Sequence, residues 1–272
     1  MNLTVSVIIP AYNCETTIER ALQSALQQTR HPKEIIVIDD ESTDQSALRA
    51  RSKAKDSAIP ILVYCNESNV GPGVSRNRGW AAATGDLVAF LDADDVWHPQ
   101  KLEVQVPIME SRPTLNMTCH DRTVGPEPVW SSVDSKSVTW QELDLRDFLI
   151  RNRCATPSVI LRRDVRERFS DSLRYAEDYL LWLTIAAQYG EVLFAESELV
   201  HCTNPAYGGP GLSGKLLAMH KSELKAFRML ARRGVLPLRW LPAIYGWSTL
   251  KFGVRVVDHL LLKDRLQKAA EA

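Results

Sequence analysis

The sequence predicts an α/β fold built on a parallel, doubly wound sheet, and three observations carry that expectation. Short aliphatic runs recur at residues 5–9, 34–38, 61–64 and 87–91. The segments between them place apolar residues at helical spacing. Two of the runs end abruptly in acid: Asp39-Asp40 after the second, and Asp92, Asp94 and Asp95 after the fourth. A chain of 272 residues, 45% hydrophobic and 24% charged, is long enough and ordinary enough to bury a large core.

In order, Val5-Ser6-Val7-Ile8-Ile9 reads as a first buried strand, broken by Pro10-Ala11-Tyr12-Asn13. Thr16 and Glu19 have capping-box spacing, and Ile18, Ala21, Leu22, Ala25 and Leu26 recur at helical period. After the second strand, Ser42 with Gln45 is another cap signal, opening a helix to about residue 54. Residues 61–64 are the third strand. Residues 69–79 carry Gly71, Pro72, Gly73 and Gly79 and read as a loop running into a helix at 80–83. Leu87-Val88-Ala89-Phe90-Leu91 is the fourth strand: long enough to be buried on both faces, too short for a helix of its own. A helix is expected to begin near Pro99, with Asp95 at its cap.

The acid clusters are the first candidate site. In a parallel sheet the strand ends share one edge, so both clusters are expected to face one crevice. Unit charges ~4 Å apart repel by roughly 4 kcal/mol at a surface-like dielectric. Such carboxylates must be solvated, protonated, paired with Lys or Arg, or bridged by a metal; hard oxygen ligands suit Mg²⁺ or Mn²⁺. An EF-hand loop counted from Asp92 fails, because Trp97 stands where Gly is needed and Val96 offers no oxygen. Gly71 and Gly73 are not a dinucleotide fingerprint, since the third glycine is missing and the loop does not follow the first strand. No Gly-Lys-Ser/Thr phosphate loop is present. Arg76 and Arg78 can each fork a phosphate or pair with a strand-end aspartate.

Four segments together resemble the inverting glycosyltransferases of family 2. They are 5–13, Val-Ser-Val-Ile-Ile-Pro-Ala-Tyr-Asn; 37–44, Val-Ile-Asp-Asp-Glu-Ser-Thr-Asp; 75–79, Ser-Arg-Asn-Arg-Gly; and 90–95, Phe-Leu-Asp-Ala-Asp-Asp. The resemblance implies a GT-A fold: a Rossmann-like mixed sheet flanked by helices. It implies a nucleotide-sugar pocket lined by Pro10, Ala11, Tyr12 and Asn13, with Asp40 at the nucleobase or ribose, Asp92 and Ala93 by the ribose, and Arg76 on the donor. Asp94 would hold the Mn²⁺ or Mg²⁺ that bridges the diphosphate. Asp39, Arg78 and Asp95 would support these groups. Glu41 departs from the family, which usually has Gly or Asn there.

Past residue 110 the pattern weakens. Residues 112–140 are rich in Pro, Ser, Thr and Asp and read as an irregular excursion. Residues 147–151 look helical, 156–161 look like a strand, and the arginine-rich 162–168 reads as a solvated helix face. In Tyr175-Ala176-Glu177-Asp178-Tyr179-Leu180-Leu181-Trp182, the two acids stand at the N-terminus of a buried helix, where acids are favourable in any case. By resemblance this is also the family's Glu-Asp motif. Asp178 would be the general base that takes the acceptor hydroxyl proton, and Glu177 its support. Residues 191–195 read as a further strand and 199–214 as a mobile loop, with His201 a possible third metal ligand.

Charge is unevenly spread. Residues 1–214 carry 21 Lys and Arg against 29 Asp and Glu; residues 215–272 carry 12 against 4. We therefore expect a domain at 1–214, with 1–110 binding the nucleotide-sugar donor and 111–214 forming the acceptor and catalytic part. A basic amphipathic helical tail follows at 215–272. The tail, with Trp240, Trp247 and Phe252 among Arg and Lys, fits an inner membrane surface, the protein's own core, or a homodimer partner. It has no nucleic-acid module. Five scattered cysteines point to separate buried thiols in a reducing cytoplasm. No signal peptide and no stretch of membrane-spanning length is legible. The expected activity is metal-dependent transfer of a sugar from a UDP-sugar to an acceptor hydroxyl, in assembly of a cell-surface polysaccharide or glycolipid. The acceptor would be a saccharide or a lipid-linked saccharide. A catalytically silent sugar-nucleotide scaffold is the alternative. A sugar-phosphate nucleotidyltransferase would need a Gly-rich basic loop after the first strand, which is absent.

Overall fold

The computed structural model describes residues 2–125, 129–204 and 215–270, with side chains to residue 258. The first three strands are β1 (Val5–Ala11), β2 (Glu34–Asp39) and β3 (Ile61–Cys65), alternating with helices α1 (Ile18–Leu26), α2 (Ser46–Lys55) and α3 (Pro72–Ala82). Then come β4 (Leu87–Phe90), β5 (Val96–Trp97), α4 (Lys101–Ser111), β6 (Met117–Val124), β7 (Trp140–Leu143), α5 (Leu145–Ile150), β8 (Ile160–Arg162), α6 (Glu177–Tyr189), β9 (Val192–Cys202), α7 (Leu216–Arg232) and α8 (Leu241–Ala270). No helix among the described residues is long and apolar enough to cross a membrane.

The sheet runs in the order β3-β2-β1-β4-β8-β6-β9-β5, with β7 on β9. β3, β2, β1 and β4 are parallel. β8 then pairs antiparallel with both β4 and β6, so the sheet is mixed rather than wholly parallel. β2, β1 and β4 are buried on both faces, as their unbroken apolar runs require, whereas β3 at the sheet edge leaves Leu62 and Tyr64 exposed. Alternate residues feed two cores. Ile8, Ile36, Ile38, Val88 and Phe90 face α3, α6 and α7. Val7, Ile9, Ile35, Val37, Leu87 and Ala89 face α1 and α4.

Several local expectations are corrected. Neither predicted cap forms at α1 or α2: Thr17 and Gln45 occupy the cap positions without side-chain bonds. Ser42 accepts the Asn13 N–H instead, and Asp44 accepts from Ser46 N at 2.9 Å. The segment expected to be a loop to residue 79 is already helical from Pro72. Proline suits the first helical position, and Gly71 before it takes φ +90°, a left-handed conformation that costs glycine little. The chain at 156–158 is a 3-10 turn before β8, and 162–168 is not helical. β9 runs on to Cys202, through residues expected to be loop; the rest of that expected loop, from 205, lies outside the described residues. α5 carries an unpredicted reciprocal capping box between Asp144 and Asp147. Cys119 and Cys154 are bridged, with Cα atoms 5.8 Å apart, so the five cysteines are not all separate thiols.

Candidate active site

Because β1, β2 and β4 are parallel, their C-terminal ends meet at one edge, and both acid clusters are there. The loop after β1 is locked to the loop after β2. Asp40 N donates to Ala11 O, and Asn13 Oδ1 accepts from Thr43 N. Tyr12 is 52% exposed at this edge, beside Asn13 and Glu41, which both have positive φ. Glu41 at φ +64° explains in backbone terms why Gly or Asn suits this position.

The two acids at the end of β2 differ. Asp40 is spent on structure: its carboxylate accepts from Val70 N at 3.0 Å, Gly71 N at 2.8 Å and Asn66 Nδ2 at 2.7 Å, anchoring the loop that leads into α3. Among the described residues, Asp39 accepts only from Ser42 N through Oδ2, and its buried Oδ1 has no partner. A buried, unpaired carboxylate oxygen at a strand end is costly unless a ligand donor meets it.

The β4 acids form a graded cluster. Asp92 is the partly exposed one and accepts from Arg76 Nη2 at 2.6 Å. Asp94 accepts from Asn204 Nδ2 at 2.9 Å through one carboxylate oxygen; its backbone carbonyl accepts from Arg20 and Thr203. Burial, and then the charge of Asp92, raise its pKa. Asp95 does not cap α4. It is 6% exposed, accepts Thr203 N at 3.1 Å, and is pushed up to about 8 by burial and by its two acidic neighbours. Ala93 is buried between them.

These oxygens fit a hard dication. No cluster of three or more His, Cys, Asp or Glu that could hold a metal occurs among the described residues. Magnesium-type sites, however, often need only one or two carboxylates, with the remaining ligands from phosphate and water. Asp94 gives one oxygen to Asn204, and burial beside Asp92 leaves negative charge around it that a cation would offset. His201 lies buried in β9 opposite Val96, with Nδ1 3.1 Å from Thr123 Oγ1.

Arg76 links the acid edge to α6. Its guanidinium is 5% exposed, and its two terminal nitrogens hold Asp92 and, at 3.2 Å, Glu177 Oε1. Of the two partners weighed for Arg76, the structure shows the strand-end aspartate, and this arginine bridges carboxylates. Arg78 turns away to Cys65 O and Asn66. Glu177 is buried against Gly73, where an added Cβ would fall 2.8 Å from Glu177 Cγ, so α3 needs a glycine to admit it. Burial and the adjacent Asp178 raise Glu177 to about 7.

Asp178 is half-buried in the first turn of α6, whose cap position is Ala176 in the left-handed conformation. Its oxygens accept from Tyr179 N at 2.7 Å and from the Thr156 hydroxyl at 3.1 Å. Burial raises its pKa, while Arg76 and these two bonds favour the ionised form. Thr156 was not legible as a partner, being 22 residues away with no local signal; the same holds for Asn204 and Arg20.

The 3-10 turn Thr156–Ser158 that carries this hydroxyl is held from behind. Trp97 Nε1 donates to Pro157 O at 2.8 Å, and Gln105 Nε2 to Ser158 O at 3.1 Å. Lys101, fully buried, donates to Gln105 Oε1 at 2.7 Å with its Nζ 4.4 Å from the Trp97 ring centre.

A mixed sheet with strand-end acids, joined by a buried arginine to an acidic helix terminus, is the architecture of a GT-A glycosyltransferase. The sequence profile of glycosyl transferase family 2 matches residues 6–169, and the chain belongs to that family. It is 33% identical over 181 residues to the Escherichia coli UDP-Glc:alpha-D-GlcNAc-diphosphoundecaprenol beta-1,3-glucosyltransferase WfgD, covering 66% of this chain and 69% of that one. It is 40% identical over 176 residues to the uncharacterized glycosyltransferase alr2836 of Nostoc, covering 61% of this chain and 53% of that one. Among solved structures, Staphylococcus aureus TarS 1-349 in complex with UDP-GlcNAc superposes with a TM-score of 0.66 at 22% identity, over 84% of this chain and 67% of that one. The Pyrobaculum calidifontis mannosyltransferase PcManGT with GDP-Man and Mn²⁺ gives 0.68 at 17% identity, over 100% of this chain and 80% of that one. These likenesses share the fold.

Proposed function

We propose that this glycosyltransferase moves glucose from UDP-glucose, with inversion, to a hydroxyl of a lipid-diphosphate-linked saccharide. The observation that carries the reading is Asp178, held ready by Thr156 and joined through Glu177 and Arg76 to the β4 acid edge. The acceptor oxygen attacks the anomeric carbon as its proton passes to Asp178. The bond from that carbon to the diphosphate breaks, and the electron pair leaves with UDP. Asp178 suits this because a carboxylate need only be positioned and partly desolvated to take a proton shed as the bond forms. Mn²⁺ or Mg²⁺ at Asp94 would offset the charge growing on the leaving diphosphate. Asp39, with its unpartnered oxygen, is the acceptor available to the nucleoside; Tyr12, Asn13 and the backbone of Pro10 and Ala11 line the same edge. The choice of glucose and of a lipid-linked acceptor rests on the name of the WfgD relative.

Calorimetry with UDP, GDP, dTDP and CMP, with and without Mn²⁺, tests the donor half. UDP should bind in a metal-dependent way and Asp94→Ala should abolish the metal dependence. A folded protein that binds none of these nucleotides overturns the reading.

A further inference from the structure

Helix α8 has two unlike faces. The inner one is docked: Ser248 Oγ donates to Glu223 Oε1 at 2.9 Å, Tyr245 OH donates to Leu224 O at 3.2 Å, and Phe252 stacks on His220 with ring centres 4.5 Å apart. The outer one is exposed and carries no charge from Ala243 to Val257, ending at the exposed Asp258. Ala243, Gly246, Trp247, Leu250, Val254 and Val257 follow one another at helical spacing along it. Trp247, Leu250, Val254 and Val257 are 44, 60, 55 and 54% exposed. Leu238 and Trp240, on the turn into the helix, extend this surface at 69 and 38%. Apolar exposure this continuous marks a contact surface.

Charge selects the partner. Residues 215–258 contain nine Lys and Arg against two acids, Glu223 and Asp258. Glu223 is buried and pairs with both Lys251 and Arg255, which leaves the trio one positive charge in excess. Lys221, Arg228, Arg232, Arg233 and Arg239 are exposed on α7 and the turn after it, and Arg239 stands between Leu238 and Trp240 where the apolar stripe begins. An uncharged aromatic stripe bordered by cations matches the apolar boundary and anionic headgroups of a bilayer.

We propose that the outer face of α8, with the turn before it, docks this protein on an anionic lipid bilayer, the helix lying in the headgroup plane. The helix as a whole is tied, through α5, to the catalytic helix. Trp247 Nε1 and Lys251 Nζ both donate to Ile150 O at the end of α5, at 3.0 and 3.2 Å, and Tyr179 OH donates to Phe148 O of the same helix at 2.6 Å. Tyr179 is the residue after Asp178. Docking through α8 therefore anchors, by way of α5, the helix that bears Asp178 at the bilayer; its use for a lipid-linked acceptor rests on the proposed function, whereas the docking itself does not.

Flotation with phosphatidylcholine vesicles, with and without phosphatidylglycerol, tests it. The full chain should bind the anionic vesicles at least about tenfold better, and added salt should weaken binding. Leu250→Ser/Val254→Ser and Arg232→Gln/Arg233→Gln/Arg239→Gln should each lose about as much, with thermal melts and UDP calorimetry unchanged. Binding by neither vesicle, or equal binding by the variants, overturns the proposal. So does light scattering that finds a dimer which the Leu250→Ser/Val254→Ser variant splits, since a second copy would then cover the stripe. Normal UDP binding alongside any of these failures confines the damage to the docking claim.

Discussion

Replacing Arg76 by Met removes the cation that holds Asp92 and Glu177 together under the acid edge. Breaking a buried ion pair by deleting one partner costs about 3–5 kcal/mol, because the other charge stays buried and unpaired. Asp92 is partly exposed and water takes up some of its share, so the lower end, about 3 kcal/mol, is expected at pH 8.5. The loss is pH-dependent. Glu177 titrates near 7 with Arg76 present, and higher without it. Above pH 7 the variant's folded state binds more protons than that of the wild type, so its stability falls faster as pH rises. Below pH 7 Glu177 is protonated in both folded proteins, and its part of the penalty fades. Urea denaturation of both proteins at pH 6 and pH 8.5 measures this, with Arg76→Met/Glu177→Gln recovering much of the loss at the higher pH. A loss below about 1 kcal/mol, or one equal at the two pH values, would refute the bridge as the structural link between edge and helix.

Three further outcomes follow from the same geometry. Thr156→Val removes a bond that favours ionised Asp178; the acidic limb of kcat should move up by about one pH unit, and an unmoved limb in a pH–rate profile would count against Thr156. Lys101 is fully buried and burial lowers its pKa well below normal. The unfolded chain therefore binds more protons and stability rises with pH toward 10. Lys101→Met should abolish that slope and raise stability at pH 7 by about 1 kcal/mol or more; denaturation showing a marked loss instead would mean the ammonium is held charged against Trp97. Gly79→Ala would set a Cβ 2.5 Å from Ile8 Cγ2 in the core; a loss of about 1–3 kcal/mol is expected in thermal melts, and a neutral result would show that β1 yields freely.

What could be read in advance followed from how local each signal is. The strands were legible because burial on both faces demands uninterrupted apolar runs, and the sharing of one edge by Asp39–Asp40 and Asp92–Asp95 came with parallel order. The start of α3 was not: Gly71-Pro72-Gly73 reads as a breaker, yet each residue has a helical use, before the start, at the start, and against Glu177. The caps failed where the side chains of Ser42 and Asp44 found partners in the loop after β1 or at the start of α2. Arg76 could be weighed only as pairing with phosphate or with an aspartate, since its second partner, Glu177, lies 101 residues away. The Thr156–Asp178 and Asn204–Asp94 bonds are long-range in the same sense, and no spacing rule announces them. The antiparallel insertion of β8 and the run of β9 to Cys202 depend on pairing partners, which short irregular segments do not disclose.

Turnover of UDP-glucose with a lipid-diphosphate-linked GlcNAc acceptor, comparing wild type with Asp178→Asn and reading the product's anomeric configuration by NMR, tests the central claim most directly. The account predicts a β-linked product from the α-configured donor, and a fall in kcat of at least about 10²-fold in the variant with UDP binding intact. An α-linked product, or full turnover by Asp178→Asn, would contradict it.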